Sequence, residues 1–195
     1  PDYTGYRSSG QRGPLLSLIC GLVNPRDGYY TISSGRGGNI CLWAMQPIAL
    51  IKKSRSFAQP LPSVAYSPNG KIAASGDGDG IIRIWDMKFR SEKFFLKAHD
   101  DFIYCVRFSP DGRFLCSASA DSTCKVWDIH SGELKTVFRR HEGAVRIVTF
   151  TKDDKALSAG DDCVIRMWEK DTGVQIKEFI GHSALISQLE VYQDN

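Results

Sequence analysis

The sequence predicts an all-β fold assembled from copies of one four-stranded antiparallel unit, and three observations carry that prediction. Trp43, Trp85, Trp127 and Trp168 are separated by 42, 42 and 41 residues, a period that belongs to repeat architectures. The residues between them fall into short apolar runs rich in β-branched and aromatic types, divided by Gly, Pro, Asn and Asp breakers. The same polar residue types also recur at fixed offsets from each Trp.

Taken in order, residues 1–13 (PDYTGYRSSGQRG) carry no hydrophobic period and suit a tail or linker. The first unit, about 14–55, then offers LLSLICGLV, YYTISS, NICLW and IALI as strands. The second, about 60–97, gives SVAYSPNGKIAASGDGDGIIRIWD with FFL as its last strand. The third, about 101–140, reads FIYCVRF, RFLCSAS, TCKVW and LKTVF, and the fourth, about 143–180, AVRIVTF, KALSAG, CVIRMW and VQIKEF. Four short strands joined by tight turns form the meander of a propeller blade. SALISQLEVY supplies one strand of a fifth blade at 183–195. The predicted fold is therefore a partial β-propeller of four complete repeats plus the start of a fifth. An open ring leaves unpaired edges, so the remaining blades are expected from further sequence or from another chain.

Composition restricts the functional classes. The 195 residues are 42% hydrophobic and 24% charged, with 25 basic against 22 acidic residues for a net charge of +3. That is ordinary globular composition, too balanced to argue for nucleic acid or an anionic membrane. Cys20, Cys41, Cys105, Cys116, Cys124 and Cys163 form no CxxC pair and mostly sit within apolar runs, as buried thiols of a reducing compartment do. No apolar stretch approaches the roughly 20 residues needed to span a bilayer. A soluble intracellular protein, cytoplasmic or nuclear, is expected.

Several positions are locked in register. His99, His141 and His182 each follow a Trp by 14 residues; Asp79, Asp121 and Asp162 each precede one by six; Ser33, Ser75, Ser117 and Ser158 each precede one by ten. On these residues the chain, over about 14–195, resembles the WD-repeat (beta-transducin-like) β-propeller family. The resemblance implies a hydrogen-bonded network of His99, Ser117, Asp121 and Trp127 in the third blade and of His141, Ser158, Asp162 and Trp168 in the fourth. In the second it implies Ser75, Asp79 and Trp85, with Phe57 in the place of His and acting as a hydrophobic plug. The first blade has Gly37 where the Asp belongs. Buried polar groups cost about 1–3 kcal/mol each when unpaired, so a closed network rigidifies a blade.

A Ser, His, Asp set also suggests nucleophilic catalysis, but this set recurs with the blade period and no G-x-S-x-G elbow accompanies it. GDGDG at 76–80 reads as a hairpin turn in preference to a calcium loop, since the bidentate Glu of such a loop is missing. No catalytic, cofactor or metal residue is assigned. The resemblance further implies that Phe102, Tyr104, Arg146, Asp161 and Leu185 line a top face that meets partner proteins; aromatics and Arg are enriched among interface anchors. The expected function is a non-enzymatic interaction scaffold within a multiprotein assembly. The alternative is an RNA-associated subunit using Lys52, Lys53, Arg55, Arg139 and Arg140.

Overall fold

The computed structural model of the protein describes residues 15–21, 30–45, 47–54, 57–87 and 91–191. The tail reading of residues 1–13 lies outside the described residues. Among those described, the chain forms sixteen strands and no helix. They are β1 (Leu15–Gly21), β2 (Tyr30–Gly35), β3 (Ile40–Met45), β4 (Ile48–Lys53), β5 (Ser63–Tyr66), β6 (Ile72–Gly76), β7 (Ile81–Asp86) and β8 (Ser91–Lys97). The second half gives β9 (Ile103–Phe108), β10 (Phe114–Ser119), β11 (Cys124–Asp128), β12 (Leu134–Phe138), β13 (Val145–Phe150), β14 (Lys155–Gly160), β15 (Val164–Glu169) and β16 (Gln175–Ile180). Each successive group of four is an antiparallel meander in sequence order, so there are four blades. The strands β1, β5, β9 and β13 are innermost and lie beside one another in that order.

Position within a blade explains composition. The second strands β6, β10 and β14 are buried almost throughout: β6 and β10 have a neighbouring sheet on either side, and β14 has the third blade on one side, with Ile186 and Leu189 of the segment after β16 in its core cluster. They use small residues there: Ala73, Ala74 and Ser75 in β6, and Cys116, Ser117 and Ala118 in β10. The outermost strand β8 instead alternates exposed and half-buried positions, and its exposed side carries Lys93 and Lys97. That is how an edge strand discourages pairing with other chains.

The core lies between the sheets. Ala65, Ala74, Ile82 and Ile84 of the second blade pack on Ile103, Val106, Phe108, Leu115 and Trp127 of the third. Between the third and fourth, Cys105, Cys116, Cys124, Val126 and Phe138 meet Val145, Val148, Phe150 and Trp168. Trp168 is fully buried there and stacks on Phe138 with ring centroids 4.8 Å apart and an interplanar angle of 3°. Such a pair adds about 0.5–1.5 kcal/mol beyond its area burial. Among the described cysteines, Cys41, Cys105, Cys116 and Cys124 are buried free thiols, and burial pushes the Cys116 and Cys124 thiols far up.

Residues 181–191 follow β16 and hold no ladder partner among the described residues. A lone strand without a neighbour cannot complete its hydrogen bonds, so the expected fifth-blade strand takes no sheet geometry here. Its beginning is nonetheless anchored: the Ile186 N–H donates to Gly160 O at 3.0 Å and the side chain is buried against Val145 and Val148. Ile103 holds the same place two blades earlier, with its N–H on Asp77 O. Residues 192–195 lie outside the described residues.

Candidate functional site

The loop entering the third blade carries His99 over β10 and β11. The ring is enclosed, with Nε2 2.7 Å from Ser117 Oγ and Nδ1 2.8 Å from Asp121 Oδ2. Ser117 Oγ also accepts the Trp127 indole N–H at 3.1 Å. Asp121 is fixed in turn by the Thr123 hydroxyl at 2.7 Å and the Thr123 N–H at 3.0 Å. Burial raises the Asp121 carboxyl, but hydrogen bonds from His99 and Thr123 outweigh it and hold the group well below the usual carboxylate range. Burial pushes the His99 imidazole down, against the pull of Asp121.

The fourth blade repeats this arrangement. His141 Nε2 lies 2.8 Å from Ser158 Oγ and Nδ1 2.9 Å from Asp162 Oδ2, while the Trp168 indole N–H donates to Ser158 at 3.1 Å. An added partner appears in Arg166, whose guanidinium hydrogen-bonds Asp162 and reaches Glu178 Oε1 at 3.1 Å. In both blades the Ser hydroxyl is spent on a buried indole and an imidazole. Nothing about it is presented as a nucleophile.

The second blade departs from the expectation in one residue. Asp79 is exposed and gives the turn its backbone N–H, whereas Asp77 is the buried carboxylate. Asp77 Oδ1 accepts the N–H groups of Asp79 (3.0 Å) and Ile81 (2.9 Å), and Oδ2 meets Arg83 at 3.4 Å. The physical reason is at Phe57, which occupies the His position and offers Asp79 no ring N–H. Phe57 packs edge-on to Trp85 at 6.1 Å, and the Arg83 guanidinium lies 4.0 Å above the Phe57 ring. Ser75 still receives the Trp85 indole N–H at 3.1 Å, as Ser33 receives that of Trp43 at 2.9 Å in the first blade. His182, though in register, is exposed.

Sequence reading missed Asp77 and the cation two residues before each of the last three Trp residues: Arg83, Lys125 and Arg166. Each serves its blade differently, Lys125 by donating to Ala98 O at 2.6 Å. The offset was visible in the sequence; the diversity of partners was not.

At the end of the sheets where the His loops lie, Phe102, Tyr104, Arg146 and Asp161 come together. The Phe102 and Tyr104 rings are 5.0 Å apart, and the Arg146 guanidinium lies 4.2 Å above Tyr104. Arg146 also grips Asp161 through two hydrogen bonds, Nε to Oδ1 at 2.7 Å and Nη2 to Oδ2 at 2.9 Å. That pairing holds the Asp161 carboxyl below its ordinary range. The Ala120 N–H on Phe102 O and the Asp161 N–H on Ala144 O tie both loops to the inner strands. Leu185 is 55% exposed immediately before the anchored Ile186. Among the described residues no group of three or more His, Cys, Asp or Glu could hold a metal ion.

The family model described as WD domain, G-beta repeat matches residues 53–86, 90–128 and 132–169, more than half of the chain. The chain belongs to the WD-repeat family. Each matched segment ends one residue after a repeat Trp, so the family repeat runs from one blade's outermost strand into the third strand of the next. Over 77 residues, 40% of the chain, this WD-repeat protein is 30% identical to the Periodic tryptophan protein 2 homolog of Neurospora crassa. Over 42 residues, 22% of the chain, it is 45% identical to the General transcriptional corepressor TUP1 of Saccharomyces cerevisiae. Over 84 residues, 43% of the chain, it is 27% identical to the protein ROOT INITIATION DEFECTIVE 3 of Arabidopsis thaliana. The matched segments cover 9%, 6% and 17% of those three proteins.

Proposed function

We propose that this WD-repeat chain is a non-enzymatic scaffold that holds partner proteins on the face formed by Phe102, Tyr104, Arg146, Asp161 and Leu185. The observation that carries the reading is the braced stack itself. Two aromatic rings and a guanidinium are pre-set by a bidentate ion pair, so little side-chain freedom remains to be lost on binding. Aromatic and Arg anchors of this kind dominate interface energetics. The recurrent Ser, His and Asp residues support the same reading, because their polar atoms are committed to one another within each blade.

A further blade is proposed to cover the outer face of the fourth. Phe138 of β12 is 1% exposed beneath the fourth blade, while its counterpart Phe179 of β16 is 38% exposed and Ile180 is 80% exposed. The RNA reading has weaker support. Lys52 and Lys53 belong to the first blade and Arg139 and Arg140 to the third, with exposed Glu142 two residues after the latter pair; Arg55 lies outside the described residues. The transcriptional corepressor among the relatives is consistent with a place in a regulatory assembly.

The test replaces Phe102 and Tyr104 together by Ala and compares partner capture by affinity purification with the melting temperature. Capture is expected to fall at least tenfold while the melting temperature stays within about 2 °C, since both side chains are half-exposed. Undiminished capture would remove this face as the binding surface.

A further inference from the structure

The seam between the first two blades is packed differently from the others. At the next seam, Phe94 and Leu96 of β8 pack against the core cluster that includes Leu115 and Trp127. The residues in the same register one blade earlier are Lys52 and Ser54, nine and eleven residues after their Trp, as Phe94 and Leu96 are after theirs. Lys52 stands opposite Leu42 as Phe94 stands opposite Ile84. Ala73, twelve residues before Trp85, replaces Leu115, twelve before Trp127. Three large apolar side chains are thus exchanged for two polar ones and a methyl.

What they leave is an open cavity of about 260 Å³. Ile32, Ile40, Leu42, Phe57, Ala73, Trp85 and Met87 give it apolar walls, and Lys52 and Lys53 stand at its rim. Both lysines are exposed, and among the described residues neither makes an ion pair. The acidic groups opposite are already engaged: Glu92 lies 3.7 Å from Arg83 and Asp86 holds an interaction within the chain. The lining therefore presents two exposed lysines that make no ion pair among the described residues, beside an apolar hollow.

We propose that this cavity is a second docking site, which takes one bulky apolar side chain flanked by carboxylates from an acidic segment of a partner protein. The volume falls below the roughly 300–1,000 Å³ of pockets for drug-sized ligands, which suits a single side chain better than a cofactor. Trp85 and Phe57 offer ring faces, and Met87 an adaptable wall. Lys52 and Lys53 then meet the flanking carboxylates, steering the approach as well as fixing the register. The site shares no residue with the Phe102 and Tyr104 face, so either can fail without the other.

The probe is the peptide fluoresceinyl-Gly-Asp-Asp-Phe-Asp-Asp-Gly-amide, labelled at its N-terminus and titrated with the full chain by anisotropy. Saturable binding is expected, weakened at least tenfold by Ala73→Leu, which supplies the leucine of the next blade. A tenfold loss is also expected for the double variant Lys52→Glu, Lys53→Glu, and for the peptide with Ala in place of its Phe. Replacing Phe102 and Tyr104 by Ala leaves this binding unchanged. The proposal is overturned if no saturable binding occurs, if the Ala peptide binds equally, or if a folded Ala73→Leu variant binds as the parent does. Should Ala73→Leu not fold, the surface lysine variant decides, and unchanged binding there overturns it.

Discussion

His99 and His141 are each enclosed between a Ser hydroxyl and an Asp carboxylate, and burial pushes both imidazoles down. A group with a lowered folded pKa takes its proton first in the unfolded chain, whose His value is near 6.5. The stability these residues contribute is therefore complete above about pH 6.5 and is lost as pH falls below it toward the folded values. Asp121 and Asp162, held below the ordinary carboxylate range, add a second loss at more acidic pH. The urea midpoint is expected to be lower at pH 5.5 than at pH 7.5. A midpoint unchanged over that interval would mean that folding does not shift the imidazoles. At this scale the members of the third and fourth networks were legible because each stood at its offset, and the family resemblance implied that they bond to one another. Asp79 was not, since spacing cannot tell which of two aspartates in GDGDG is held once Phe57 removes the imidazole.

The hairpin between the second and third strands of every blade needs one residue with φ near +65°. Gly38 and Gly80 fill it in the first two blades, with φ of 65° and 76°; Ser122 and Cys163 fill it in the last two, at 66° and 62°. An L-residue there carries a steric cost of roughly 1–2 kcal/mol, partly offset because glycine is freer when unfolded. Ser122→Gly is accordingly expected to stabilise the chain by about 0.5–1 kcal/mol in denaturant titration. Gly80→Ala is expected to destabilise it, since a Cβ there would lie 2.1 Å from His99 O; the opposite order would refute this account of the turn. Strand order and turn positions were readable because apolar runs and breakers alternate with one period. The seam cavity was not readable, because it depends on Lys52, Ser54 and Ala73 meeting across two sheets.

In the whole molecule, side-by-side sheets bury their second strands almost throughout, and polar networks fasten those strands where small residues leave room. The repeat and its chemistry were therefore written into the sequence together. The two binding surfaces proposed above were legible to different degrees: Phe102, Tyr104, Arg146 and Asp161 were implied by the family resemblance carried onto their positions in the repeat, and the structure added the contacts that brace them. The claim on which the rest depends is that the recurrent Ser residues are structural hubs. Ser117 Oγ serves His99 and Trp127 together, whereas Ser75 Oγ serves Trp85 with no imidazole beside it. Calorimetric melting of Ser117→Ala and Ser75→Ala measures this difference directly. The larger fall in melting temperature is expected for Ser117→Ala, by about 1–3 kcal/mol in stability for the second orphaned polar group. Equal falls, or a larger one for Ser75→Ala, would contradict it.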